Sequence, residues 1–340
     1  MQKRIRDYGY KIGTLPTGKL NKITDVEGVL VGHSTIKTEK YNTGCTVIVP
    51  TPENVFEKKL VAASFVHNGY GKTAGTIQID ELGTLETPIA LTNTLNVGLV
   101  ADAVIEYMVD RCKAEGVEVR SMNPVVGECN DSALSTIVDR PVKKENVFEA
   151  FETAIKDFVE GNVGAGTGTR CYGFKGGIGS ASRIVDLGGK AYTVGVLVQS
   201  NYGATRDLMI NGKTLDEDVI KTVKGEACDK GSIMVIVATD IPLTSRQLKR
   251  VIKRASVGIA RLGSYIGHGS GEVFIGFSTA NVIDAKGEVM TINCINEDII
   301  DKVFRGVGEA TEEAILNSMV CASEAYQLDG KKIHSLAEFL

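Results

Sequence analysis

An α+β fold of layered sheets covered by helices is what this sequence predicts, on three observations. Strand-like and helix-like segments interleave without strict β-α alternation, which argues against a doubly wound parallel sheet. Apolar residues make up 43% of the 340 positions, enough for a sizeable core, yet no run of 18 apolar residues exists to cross a membrane. Ile233 to Ala238 form an apolar, mostly β-branched run, the pattern of a strand buried on both faces. No linker or repeat divides the chain, so residues 1–340 are read as one domain.

The elements follow in order. "GVLVGHSTI", "GCTVIVP" and "LVAASFVHNGYG" read as strands separated by turns. "TLNVGLVADAVIEYMVDRCKAEG" has apolar residues at helical spacing and ends at Gly116, a candidate C-cap. "KENVFEAFETAIKDFVEG" predicts a helix up to Gly161, with Val147, Phe148, Phe151, Ala154, Ile155, Phe158 and Val159 on one stripe. The glycine-rich "GNVGAGTGTRCYGFKGGIGSASR" follows, then the buried strand "AYTVGVLVQSNYG". "TSRQLKRVIKRASVGIARLG" reads as one helix, with Thr244 and Gln247 at capping-box spacing and its basic residues on a solvated face. "GEVFIGFSTAN" is a strand, and "NEDIIDKVFRGVGEATEEAILNSMVCA" contains the last helix.

Composition excludes several functions. A net charge of −4 argues against nucleic acid as the main partner. The N-terminal "MQKRIRDYGYKIG" has basic residues without an apolar stretch behind them, so no secretory signal is expected. The seven cysteines are odd in number and contain no C-x-x-C pair, which suggests reduced thiols in the cytoplasm. "GYGKT" imitates the end of a P-loop, but Val66 stands where that motif needs glycine. "GAGTGT" fails G-x-G-x-x-G at Thr169, so a dinucleotide cofactor is not expected. The four histidines, His33, His67, His268 and His334, show no metal-binding spacing and no nucleophile elbow, so no metal is expected.

Polar residues at the ends of apolar strands are more informative, because sites collect there. Gly231-Ser232 precedes the buried run, after an exposed-looking Asp229-Lys230. The pair is either a turn or a nucleophile placed where a core strand begins. Ser270 and Glu272 stand at i,i+2, on one face of an extended chain, as a hydroxyl–carboxylate relay or a polar strand edge. Glu128 follows an apolar Pro-Val-Val, and Asn201 follows a buried strand, where a carboxamide can serve an oxyanion or cap a turn.

Together, "EGNVGAGTGTRCYGFKGGIGSASR", "GVLVQSNYG", "DKGSIMVIVATDIPL" and "GHGSGEVFIGFSTAN" resemble the self-processing L-aminopeptidase/D-esterase and β-peptidyl aminopeptidase family, over almost the whole chain. The resemblance implies a four-layer αββα sandwich, like the N-terminal-nucleophile hydrolases in layering but differently connected. It implies autocleavage at Gly231-Ser232 into chains 1–231 and 232–340, with Ser232 the nucleophile. It also implies Asn201 as oxyanion donor, Ser270 and Glu272 beside the nucleophile, and Glu128 holding the substrate's amino group. Some family members carry Tyr where this chain has Asn130, so substrate preference is left open. The substrate implied is a small peptide, amide or ester with a free N-terminus, and the assembly implied is a tetramer of processed pairs. Two other readings stay open: an ornithine acetyltransferase-like acyl transferase, which uses Thr at the cut, and an uncut binding protein on the same fold. The chemistry is coherent, since a free α-amino group with a pKa near about 8 can activate its own residue's hydroxyl without a histidine.

Overall fold

The computed structural model describes residues 2–225, 228–284 and 288–340. Ten strands build two packed sheets. They are β1 (Leu30–Lys37), β2 (Asn42–Val49), β3 (Lys58–Gly69), β4 (Thr84–Leu85), β5 (Ile89–Asn93), β6 (Val125–Cys129), β7 (Gly177–Leu187), β8 (Lys190–Asn201), β9 (Gly231–Thr239) and β10 (Ser270–Asp284). One sheet runs β1-β2-β5-β6 and the other β4-β3-β10-β9-β8-β7. Neighbours are antiparallel except β5 with β6 and β9 with β10. Seven α-helices are described: α1 (Thr76–Leu82), α2 (Val97–Ala114), α3 (Lys144–Glu152), α4 (Glu217–Val223), α5 (Ser245–Ile252), α6 (Ala255–Arg261) and α7 (Asp301–Val320).

Three apolar clusters weld four layers. Val47, Ala90 and Val126 meet Val100, Val104 and Phe151 of α2 and α3. Leu91 and Val125 meet Leu197, Met234 and Ile275 between the sheets. Val235, Val196 and Phe274 meet Leu248, Ile259 and Ile315 under α5, α6 and α7. The architecture is therefore the expected αββα sandwich. Strand β9 explains why the run 233–238 is apolar throughout. Ile233, Val235 and Val237 face the helices, Met234, Ile236 and Ala238 face the second sheet, and all six are buried. Among the described residues no helix is long and apolar enough to cross a membrane.

Three sequence expectations need correction. The helix predicted to reach Gly161 stops at Glu152, because the chain there pairs with a strand edge. Ile155 and Val31 exchange backbone bonds of 3.0 and 3.1 Å, which leaves Ile155 and Val159 exposed rather than on a buried stripe. The helix predicted over 244–263 is two helices, parted at Lys253-Arg254, although the Thr244–Gln247 capping box is present. The glycine-rich segment, read without an element assignment, runs into the start of β7. Gly179 lies so close to the backbone of α7 that a side chain would run into the Ala314 carbonyl, so glycine there serves contact between layers rather than a turn. Finally, Asp229 is 3% exposed rather than a surface residue.

A buried ionic network seats α7. Arg183 of β7, fully buried, pairs with Glu313 at 2.7 Å and Glu309 at 3.3 Å. Arg6 reaches Glu313 at 2.7 Å and ties down the N-terminal segment. Removing one partner from such a network strands a buried charge, at about 3–5 kcal/mol.

Candidate active site

The C-terminal ends of β6 and β8 and the N-terminal ends of β9 and β10 converge at one end of the sandwich. In register, Ser232 lies between Asn201 of β8 and Gly271 of β10. The pleat puts Ser232 on the same face as Met234 and Asn201 on the same face as Gln199. That face looks between the sheets, since the Gln199 amide donates to the Thr92 and Ala165 carbonyls at 3.1 and 2.8 Å. The two side chains thus share one space.

Ser232 is 7% exposed, and its hydroxyl donates to the Gly231 carbonyl oxygen at 2.7 Å. The hydroxyl therefore touches the peptide group immediately upstream. Gly231 has φ +119°, and a side chain on it would run into the Asn201 carbonyl. Only glycine accommodates both demands.

Asn201 is oriented without ambiguity. Its side chain accepts from the Arg170 backbone N–H at 2.9 Å, and an N–H can bond only the oxygen, Oδ1. The Nδ2 donors are thereby turned the other way. Behind Arg170, the buried Lys175 ammonium donates to the carbonyls of Gly166, Thr169 and Gly176 at 3.0, 2.7 and 2.8 Å. Burial pushes its pKa well below the usual lysine value, and the three carbonyls fix the loop that presents Arg170.

Ser270 donates to Glu272, and both are fully buried. Burial pushes the Glu272 carboxyl up to about 7, the Ser270 bond opposes the shift and the nearby Asp229 charge adds to it. Its Oε2 has no hydrogen-bond partner among the described residues. Register places this pair with Ile233, on the face of the sheet opposite the Ser232 side chain. The residue registered with Ser270 is Gly231, which carries no side chain to cover it. The Ser232 backbone nitrogen lies in the plane of the sheet, between the two faces.

Glu128 is 3% exposed and accepts from the Lys72 backbone N–H at 3.1 Å and from the Thr94 hydroxyl. Its neighbour Cys129 donates through the thiol to the Ser232 carbonyl oxygen at 3.5 Å, which carries the end of β6 to the start of β9. Asn130 is exposed and accepts from Ser132 at 2.6 Å. It lines a cavity of about 210 Å³ with Arg170, Asn201, Lys230 and Gly231. The expected residues are thus gathered at one end of the fold, with Ser270 and Glu272 behind the strand rather than beside the hydroxyl. His33 bonds Thr46 and the Val159 carbonyl, and His334 bonds Glu338, so neither serves Ser232 as a base. Arg170, Lys175 and Cys129 carry no motif that marks them in the sequence. Lysine embedded in "YGFKGG" was the one available hint.

A buried serine at the start of a core strand of an αββα sandwich has the layering of the N-terminal-nucleophile hydrolases. The family description "Peptidase family S58" matches residues 21–333. The chain is 37% identical to the beta-peptidyl aminopeptidase BapA of Sphingosinicella xenopeptidilytica, over 98% of this chain and 88% of that one. Its structure superposes on the PH0078 protein from Pyrococcus horikoshii OT3 with a TM-score of 0.92 and 46% identity, covering 98% and 96% of the two chains. It is similarly close to the L-aminopeptidase D-ala-esterase/amidase of Ochrobactrum anthropi, described as a variant of the Ntn hydrolase fold. There the TM-score is 0.90 at 35% identity, over 98% and 95%. The chain belongs to peptidase family S58 and is a serine-type aminopeptidase.

Proposed function

We propose that the chain cuts itself between Gly231 and Ser232 and then works as an N-terminal-serine aminopeptidase. The products are chains 1–231 and 232–340. The observation that carries this reading is the Ser232 hydroxyl at 2.7 Å from the Gly231 carbonyl oxygen, beside a glycine at φ +119°. Cutting frees an α-amino group with a pKa near about 8, the base that no histidine supplies.

In turnover, Glu128 holds the ammonium of the substrate's first residue. Ser232 attacks the carbonyl that follows. Asn201 Nδ2 donates to the oxyanion, an effect of roughly 3 kcal/mol for one such donor. The new amine takes the Ser232 proton and passes it to the leaving group, while Ser270 and Glu272 receive the ammonium from behind the strand. Water then releases the acyl group. No metal or cofactor enters this cycle.

The substrates fitting this site are small peptides, amides and esters with a free N-terminus. The relatives' names favour β-linked or small L- and D-residues. Asn130 at the cavity is where this chain selects among them. The working assembly is a homo-oligomer of processed pairs in the cytoplasm, consistent with seven cysteines free of disulfides. The test is a pair of p-nitroanilides, β-alanyl and N-acetyl-β-alanyl. The free amine should turn over and the acetylated compound should not. Equal turnover would remove Glu128 from its role.

A further inference from the structure

The segment before the proposed cut is gripped from one side. Cys228 and Lys230 are exposed, but Asp229 between them is buried. Its Oδ2 accepts from the Ser264 hydroxyl at 2.5 Å and from the Ile266 backbone N–H at 3.2 Å. The same N–H lies 3.0 Å from the Ser264 oxygen, which closes a three-membered set. The Asp229 N–H donates to the Tyr265 hydroxyl at 3.0 Å. Gly267 lies so near the Asp229 carbonyl that a side chain there would overlap it. Side chain and amide of one residue are thus bonded by residues 264–266, and its carbonyl lies against Gly267.

This grip holds strained backbone. Ile266 has φ +57°, a left-handed conformation rare for a β-branched residue and costing of order 1–3 kcal/mol. Asp229 accepts from that very amide. Three residues on, Ser232 is fixed by its pairing with Asn201 and Gly271. Lys230 and Gly231 therefore span two anchored points, and Gly231 takes up the difference at φ +119°.

We propose that Asp229 is a positioning residue for self-cleavage: with Ser264 and Ile266 it forms a latch that holds the Gly231 carbonyl against the Ser232 hydroxyl until the bond is cut. This rests on the self-cleavage reading above. In the step it serves, Ser232 Oγ bonds the Gly231 carbonyl carbon and the Gly231–Ser232 C–N bond breaks. The hydroxyl proton goes to the departing nitrogen. Water then hydrolyses the ester, returning a proton to Oγ and leaving a carboxylate on Gly231. Afterwards no covalent link joins Asp229 to Ser232, so the latch has no further part in turnover.

The test follows cutting by intact mass from the moment of cell-free synthesis, then measures kcat and KM of the cut fraction on an aminoacyl p-nitroanilide. Asp229→Ala removes the acceptor and should cut at least tenfold more slowly. Asp229→Asn keeps an oxygen for Ser264 and Ile266 and should stay within threefold of the wild type. Ser264→Ala should cut about threefold more slowly. Once cut, all three should match wild-type kcat and KM within twofold at pH 9, where Glu272 is ionised with or without the Asp229 charge beside it. Wild-type cutting by Asp229→Ala, equal slowing by Asp229→Asn, or a parallel loss of kcat in the cut fraction each overturns the latch. Should Asp229→Ala not accumulate, unchanged cutting by Ser264→Ala overturns it. A wild-type chain that stays whole while turning over substrate overturns self-cleavage itself, a distinct result.

Discussion

The middle of β9 and its first residues obey different rules. From Ile233 to Ala238 every side chain is apolar and buried, and each finds apolar neighbours on its own face. From Asp229 to Ser232 the chain buries a carboxylate and a hydroxyl and takes φ +119° at Gly231. Asp229 Oδ1, like Glu272 Oε2 nearby, is buried with no hydrogen-bond partner among the described residues. Leaving such atoms unpaired disfavours folding, and these two stand together where β9 and β10 begin. The six core residues hold the start of the strand still enough for those costs to be borne.

The contrast breaks most visibly at the hydroxyl. Ser232→Ala should leave a single 340-residue chain on denaturing electrophoresis, with no aminoacyl p-nitroanilide hydrolysis above background. Asn201→Ala should come next. It removes the oxyanion donor and should lower kcat of the cut enzyme by about 10²–10³. Two groups should shape the acid limb of the pH profile: the freed amine, near about 8, and Glu272, which burial pushes up to about 7, so kcat/KM should rise across pH 7 to 8. Glu272→Gln should lower the rate and flatten that limb in a stopped-flow pH series. The smallest effect belongs to the strand interior. Ile236→Val should cost about 0.5–1.5 kcal/mol in a urea melt and leave cutting unchanged.

Much of this was legible in the residues, for physical reasons. Continuous apolar runs mark strands that are buried on both faces, and β9 is the plainest of them. Polar residues at the ends of such runs located Ser232, Asn201, Glu128 and the Ser270–Glu272 pair. Which face each would take was not legible, because it depends on register: Gly231 with Ser270 sends the relay behind the strand. Which glycines mediate contact between layers, as Gly179 does under α7, was not legible, because the partner backbone lies far along the chain. The helix stripe failed past Glu152 because β1 offered Ile155 backbone partners that no local pattern encodes. Asp229 looked exposed because its partners, Ser264 and Ile266, lie more than thirty positions away.

The central claim is that Ser232 becomes an N-terminus. Intact mass with N-terminal sequencing of a purified, active preparation tests it most directly. The expected result is two chains, residues 1–231 and 232–340, with Ser232 first in the shorter one and activity in proportion to the cut fraction. Full activity from molecules in which the Gly231–Ser232 bond is whole would contradict it.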